Sequence, residues 1–482
     1  MEKKTGLQKQ LSPMHVWALA FGCIIGWGSF INPGKKFLPN SGVDGTAIAM
    51  IAGALVMIII ATSYAYMVPK YPKAGGEFTF TKNCFGRVPA HLCGWFLVAA
   101  YLTNVPMNST AIGLIVDGLD GPLDILKWGF HYQIAGFDVW CGEVVLASAI
   151  LILFGWFNII GVKKAGFIQT MLAVLLATSV FTLTIAALVS PNASWLNVQP
   201  EWGFDRAAAL AAQATDLSGF AHVGQQGVWT AILATFAIAP WAFVGFDTIP
   251  QAAEEFKFSY KKVMLIMTVA IIFGAFVYIA NNTVAAAACQ NWPERVMAGD
   301  WVLLIAAEEI LGVFGKVLIG VAVSCAVLSG IMGFYLAASR LMYSMSRDGY
   351  LPAVFGKIHP KYGTPYTAML FCIIVSLSGP VLGREALGWF VDMSAIGASI
   401  GFLATSASTI VTANRDGDGT FRLKALAAFG SLFSLAFVVL QLIPISGLEG
   451  VHFCNESYMM LVVWVVIGVV FFIHQRKNFI VD

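Results

Sequence analysis

About twelve apolar stretches, each long enough to cross a bilayer, follow one another along this chain and leave little room for anything else. They lie near 14–38, 44–68, 88–116, 139–158, 166–190, 228–253, 262–289, 313–346, 364–383, 386–412, 424–446 and 457–475. Backbone groups in lipid must be satisfied within the segment, so stretches this long are read as helices. Composition agrees. Of 482 residues, 58% are hydrophobic and 11% charged, where a soluble chain carries about a quarter charged residues.

Orientation follows from the basic residues, which collect on the cytoplasmic side of a membrane. With a cytoplasmic N-terminus, 21 of the 28 fall inside, from Lys3, Lys4 and Lys9 to Arg476 and Lys477. The others are Lys35, Lys36, Lys127, Arg206, Arg295, Lys316 and Arg384. Both termini are therefore expected in the cytoplasm of a multi-pass protein of the plasma, or inner, membrane. The start does not read as a removable signal, because no small-residue cleavage site follows the first apolar segment. Eight cysteines without a C-x-x-C pair or a Cys/His cluster indicate neither a disulfide framework nor a metal site. No cofactor is expected. A net charge of +2 interleaved with apolar spans argues against nucleic acid. Seven scattered histidines form no catalytic cluster, which argues against a membrane enzyme. No ring of filter residues points to a channel.

Helix breakers inside the spans discriminate further. The first span holds Gly22-Cys23-Ile24-Ile25-Gly26-Trp27-Gly28-Ser29-Phe30, followed by Asn32-Pro33-Gly34. Each glycine weakens a helix by about 1 kcal/mol relative to alanine. The sixth span holds Pro240-Trp241-Ala242-Phe243-Val244-Gly245-Phe246-Asp247, with Pro250 beyond. A lone G-x-G is equally well explained by close helix packing. Two matched interruptions, five spans apart, are the pattern of a 5+5 inverted repeat with a substrate site at its interface. Broken backbone at membrane depth is tolerated only where protein buries it or a cavity lies beside it. The amides around Ile25, Gly26, Trp27 and Gly28 would then receive a substrate carboxylate at a half-helix N-terminus. The carbonyls from Trp241 through Ala242 and Phe243 to Gly245 would receive an ammonium.

These segments carry a resemblance. G-C-I-I-G-W-G-S-F in span one, A-F-V-G-F-D-T-I-P-Q-A-A-E-E in span six and S-R-L-M-Y-S-M-S-R-D-G-Y-L-P after span eight resemble the amino acid–polyamine–organocation (APC) superfamily. Tyr71-Pro72-Lys73-Ala74-Gly75-Gly76-Glu77, with Phe78 after it, is similar to that family's P-x-A-G-G-x-Y segment, and His359-Pro360-Lys361-Tyr362-Gly363-Thr364-Pro365 fits as well. The resemblance implies the LeuT-type fold, an all-α membrane protein working by alternating access. It divides the chain into a cytoplasmic segment 1–13, a first repeat 14–190, an outer loop 191–227, a second repeat 228–412, two further helices within 424–475 and a cytoplasmic tail 476–482. It implies an amino acid permease, with an organic amine or polyamine carrier as the alternative.

The family's carboxylate-binding turn falls on Gly26, Trp27 and Gly28, with Trp27 where a small residue is usual. Its indole either points inward, narrowing the pocket, or packs away from it. Trp241 matches an aromatic lid. Asn104 and Asn108, one turn apart on span three, either contact substrate or bond to neighbouring helices. Asp247 is expected to cap and orient the second half-helix, with a proton role as the other reading, and Phe246 stands beside it. Asp392 belongs either to an outer gate or to a helix cap. Coupling stays open among proton symport, exchange and uniport. The lysine that some proton-coupled relatives place on span five would fall near Leu176 and is absent. Sodium ranks after the proton, since span eight offers only Ser329, with Ser324, toward a sodium site. A short outer helix is expected over 301–311. Oligomeric state is not legible.

Overall fold

The computed structural model describes residues 6–118, 126–134, 137–214, 217–222, 225–383, 386–445 and 451–476. Lys3, Lys4, Arg384 and the expected tail from Lys477 onward lie outside these ranges.

Ser12 accepts from the His15 amide, and Pro13 takes the first helical position where no N–H is needed, so α1 (Pro13–Ile24) starts sharply. It ends at Ile25, which is extended (φ −95°, ψ 93°). Helix α2 (Gly28–Asn32) resumes after the gap and passes through one π turn, Pro33–Phe37, into α3 (Leu38–Lys70). The boundary expected between the first two stretches is therefore a bend inside one helical path. Gly42, at φ +63°, makes it.

Next come α4 (Gly76–Phe85) and α5 (Arg87–Gly118). A small antiparallel hairpin follows, β1 (His131–Ile134) with β2 (Phe137–Trp140), in which His131 faces Trp140. The sequence reading had no strand there. Two long helices, α6 (Cys141–Ile159) and α7 (Val162–Val189), complete the first half. The loop beyond α7 holds the short α8 (Arg206–Ala211) and leads to α9 (Gln225–Phe236), α10 (Ala239–Ala242) and α11 (Thr248–Gln251), the pieces of the sixth stretch. The remainder is α12 (Val263–Ala288), α13 (Trp292–Ala298), α14 (Val302–Leu311), α15 (Val313–Arg347), α16 (Tyr366–Ser376), α17 (Ser378–Leu382), α18 (Ala386–Arg415), α19 (Phe421–Leu442) and α20 (Asn455–Gln475). The short outer helix expected over 301–311 is α14.

Among the described residues, 9 helices are long and apolar enough to cross a membrane. The first, sixth and ninth stretches are shorter pieces, each interrupted by glycine or proline. Helix α5 packs against α15 and α18, α12 against α3, and α1 against α7, α12 and α15. Helix α20 is peripheral, and Met459, Val462, Val466 and Val470 are exposed along it. In a membrane protein such a surface faces lipid.

Ion pairs close the face that carries the N-terminal segment. Arg340 and Glu255 pair fully buried at 3.1 Å, Arg347 pairs with Glu254 at 2.8 Å, and Lys82 pairs with Asp348 at 2.9 Å. The Glu255 carbonyl accepts the Gln10 and Leu11 amides, and the Leu11 carbonyl accepts the Lys257 amide, which straps the N-terminal segment across this face.

Candidate functional site

The two helix breaks meet. Gly245 holds φ +141°, and a Cβ there would stand 2.6 Å from the Ile24 nitrogen and 2.7 Å from Cys23 Cβ. Only glycine adopts this backbone without strain and allows so close an approach. The break after α10 is thereby seated against the last turn of α1.

Helix α12 satisfies the carbonyls freed at the first break. Tyr278 Oη donates to the Ile24 carbonyl at 3.3 Å, and Asn281 Nδ2 donates to the Ser29 carbonyl at 2.9 Å. Sequence reasoning passed over both residues, although Tyr278, Asn281 and Asn282 are the polar run of an otherwise apolar helix, and positions i and i+3 share a face. The Gly26 and Trp27 carbonyls accept from Ser29 and Phe30 within the next turn. Among the described residues, the amides of Gly26, Trp27 and Gly28 donate to no protein group.

Close to the break at Gly26 is an acceptor without a donor. Asn108 donates its amide to the Asn104 carbonyl at 2.8 Å, which leaves Oδ1 buried and unpartnered. A Cβ on Gly26 would stand 3.6 Å from that oxygen. Asn104 is spent differently. Its side chain donates to the Ala100 carbonyl and to Ser394 on α18, so it ties two helices together. Of the two asparagines, Asn108 belongs to the site.

Trp27 and Trp241 form the floor of a cavity of about 570 Å³. Their rings lie 6.1 Å apart at 54°, and they are 7% and 8% exposed. The Trp27 indole N–H is buried without a partner. Trp27 thus lines the cavity and packs against Trp241. The ring of Trp241 occupies the space a Gly28 side chain would fill, so it covers the turn directly. The cavity wall includes Asn32, Lys35, Lys36, Arg206 and Asp300, more cationic than anionic. Ala242 and Phe243 are buried beneath, with Phe243 set against Tyr278. Ile25 is buried in the break itself.

Asp247 departs from its expected role. It precedes α11 but makes no forward cap. Its Oδ1 accepts the Gly245 amide at 2.6 Å, and its Oδ2 accepts from Tyr101 Oη at 3.0 Å. The carboxylate thus closes the loop behind it and ties the break to α5. Phe246 stacks on Phe402 and meets Tyr64 edge-on. Ser329 Oγ donates to the Gly22 carbonyl at 3.1 Å and joins α15 to α1. Leu176 is buried and apolar. On α7, Gln169 bonds to α1, its Nε2 donating to the Ala18 carbonyl at 3.1 Å. Asp392 lies well inside α18 and accepts from Ser457 of α20 at 2.6 Å, so it is no helix cap. It is close enough to Lys36 for the two charges to interact.

A predominantly helical membrane bundle in which two broken helices meet beside a cavity, with unpaired amides near an unpaired side-chain carbonyl, defines a membrane permease of the APC fold. Known proteins narrow this. The family model "Amino acid permease" matches residues 11–472, and the chain belongs to that family. It is 25% identical to the branched-chain amino acid permease BcaP of Bacillus subtilis (strain 168), over 98% of this chain and 94% of that one. It is 28% identical to the large neutral amino acids transporter small subunit 2 of Homo sapiens over 77% of this chain, and spans 64% of that relative's length. A methylthioribose transporter of Bacillus subtilis (strain 168) is 23% identical over 99% of this chain and 95% of its own. The protein is an amino acid transporter of the membrane.

Proposed function

We propose that the protein carries a neutral amino acid with an apolar side chain across the plasma membrane by alternating access, with the N-terminal face in the cytoplasm. One observation carries this reading: the amides at Gly26–Gly28 donate to no described group, and the unpartnered Oδ1 of Asn108 lies beside Gly26. A zwitterion supplies what both lack, a carboxylate for the amides and an ammonium for the oxygen. The carbonyls of the Trp241–Gly245 segment offer the ammonium further acceptors. Trp241 lies over the turn, so substrate enters when that ring swings aside, and the cavity above it is the outer approach. The closed ion-paired face is the inner gate.

The relatives named for branched-chain and large neutral amino acids support an apolar side chain, and the tryptophan floor provides an apolar surface for one. A polyamine fits less well, because Lys35, Lys36 and Arg206 line the approach. Proton symport or exchange accounts for the coupling better than sodium does. Sodium needs several hard oxygen ligands, and α15 offers little beyond the Ser329 and Ser324 hydroxyls toward such a set. In proteoliposomes the purified protein should take up labelled leucine, and unlabelled leucine should compete. Failure to move any amino acid, with or without pH and sodium gradients, overturns the reading.

A further inference from the structure

A second polar cluster lies between the broken helix and the inner gate. Glu77 sits in the first turn of α4, outside the spans and fully buried. Its Oε1 accepts from Tyr64 Oη of α3 at 2.8 Å, and its Oε2 accepts from Gln251 Nε2 of α11 at 2.6 Å. Gln251 Nε2 also reaches Tyr101 Oη at 3.4 Å, and Tyr101 donates to Asp247. One chain of hydrogen bonds therefore runs from the Gly245 amide in the helix break to Glu77 at the foot of α4. Gly76 permits it, since a Cβ there would stand 2.9 Å from Pro250 and 3.0 Å from Gln251 Nε2.

Among the described residues, the cluster holds two buried carboxyls and no cation. The charge that faces Glu77 is Asp247, and the other titratable groups around the pair are Tyr64 of α3, Tyr101 and Cys93 of α5, and Cys23 of α1. On α15 the nearby cations are already taken, Arg340 by Glu255 and Arg347 by Glu254. From α18 the neighbour is the hydroxyl of Thr405. Two like charges in a low-dielectric pocket without a counter-ion favour holding a proton. Burial and the Asp247 charge accordingly push the Glu77 carboxyl well above the usual range.

Gln251 supplies an independent sign. Its Oε1 is buried with no donor. Turning the Gln251 amide over presents that oxygen to Glu77, which is the acceptor a protonated Glu77 requires.

We propose that Glu77 is the carboxyl that binds a co-transported proton, in a site completed by Tyr64 and Gln251 and facing Asp247. The proton converts carboxylate to carboxylic acid while α11 packs on α4. It leaves to the cytoplasm when α11, carrying Gln251, draws away and water reaches the carboxyl. This deepens the proton-coupled form of the proposed function and rests on it.

The test compares the wild type with Glu77→Gln, both full-length, in two measurements. Infrared difference spectra at neutral pH should show a protonated-carboxyl component that Glu77→Gln lacks. In proteoliposomes, labelled-leucine accumulation under an inward proton gradient should fall at least about tenfold in the variant, while leucine exchange stays within about twofold, because glutamine keeps the hydrogen bonds and loses only the titration. Glu77→Asp should restore part of the gradient-driven uptake, which separates titration from folding. Identical infrared spectra, or undiminished pH-driven accumulation in Glu77→Gln, overturn the proposal. Wild type that exchanges leucine but never accumulates it under a pH gradient also overturns it, while leaving the amino acid permease intact. If the wild type moves no leucine at all, the apolar-substrate reading falls and the infrared band alone decides Glu77.

Discussion

Gly28 and Asn108 show how little space separates a packing glycine from a binding one. A methyl group at Gly28 overlaps the Trp241 ring, so Gly28→Ala must displace that ring from the turn. The expected result is a loss of leucine uptake of about tenfold, with thermal stability changed by only about 1 kcal/mol, since alanine itself favours helix. Uptake kinetics beside a melting curve on purified protein check this. Asn108→Leu removes the unpartnered acceptor and should raise the KM for leucine about tenfold, the equivalent of one lost charge-assisted hydrogen bond. Asn104→Leu, by contrast, should lower the melting temperature and leave the KM close to its original value. Trp27 could not be oriented from sequence alone. Its direction depends on where α2 restarts after an extended residue, and Ile25 sets that phase.

At the scale of elements, the breaks were legible and their partners were not. Glycine and proline announce a weak helix wherever they occur, so the interruptions near Gly26 and Gly245 could be placed to within a few residues. What satisfies the broken ends comes from helices distant in sequence: Tyr278 and Asn281 of α12 and Tyr101 of α5. No periodicity links those residues to the breaks. Asp247 was misjudged for the same reason, because its second partner, Tyr101, lies on another helix. The β1–β2 hairpin escaped because its strands are only 4 residues each and stand next to a long apolar helix. The inner gate makes its own prediction. Arg340→Met leaves Glu255 buried and unpaired, which should cost about 3–5 kcal/mol. The double variant Arg340→Met/Glu255→Leu should recover most of that loss. A double-mutant cycle on melting measures it, and full additivity of the two single changes would contradict the pairing.

For the whole molecule, the charge bias supplied an orientation and the apolar runs supplied the membrane, because both reflect the bilayer and neither depends on packing detail. A membrane-impermeant thiol reagent applied to intact cells, on a background in which exposed Cys454 is replaced, should label Lys35→Cys at the cavity wall. It should spare Lys163→Cys until the cells are opened. The reverse pattern would invert the topology. The central claim is that the unpaired amides of the first break hold a carboxylate. Competition against labelled-leucine uptake in proteoliposomes tests it most directly, with leucine and its decarboxylated analogue isoamylamine as competitors. The account predicts that leucine competes and that the amine is at least about a hundredfold weaker, the cost of leaving buried donors without their anion. Equal competition by isoamylamine would contradict it.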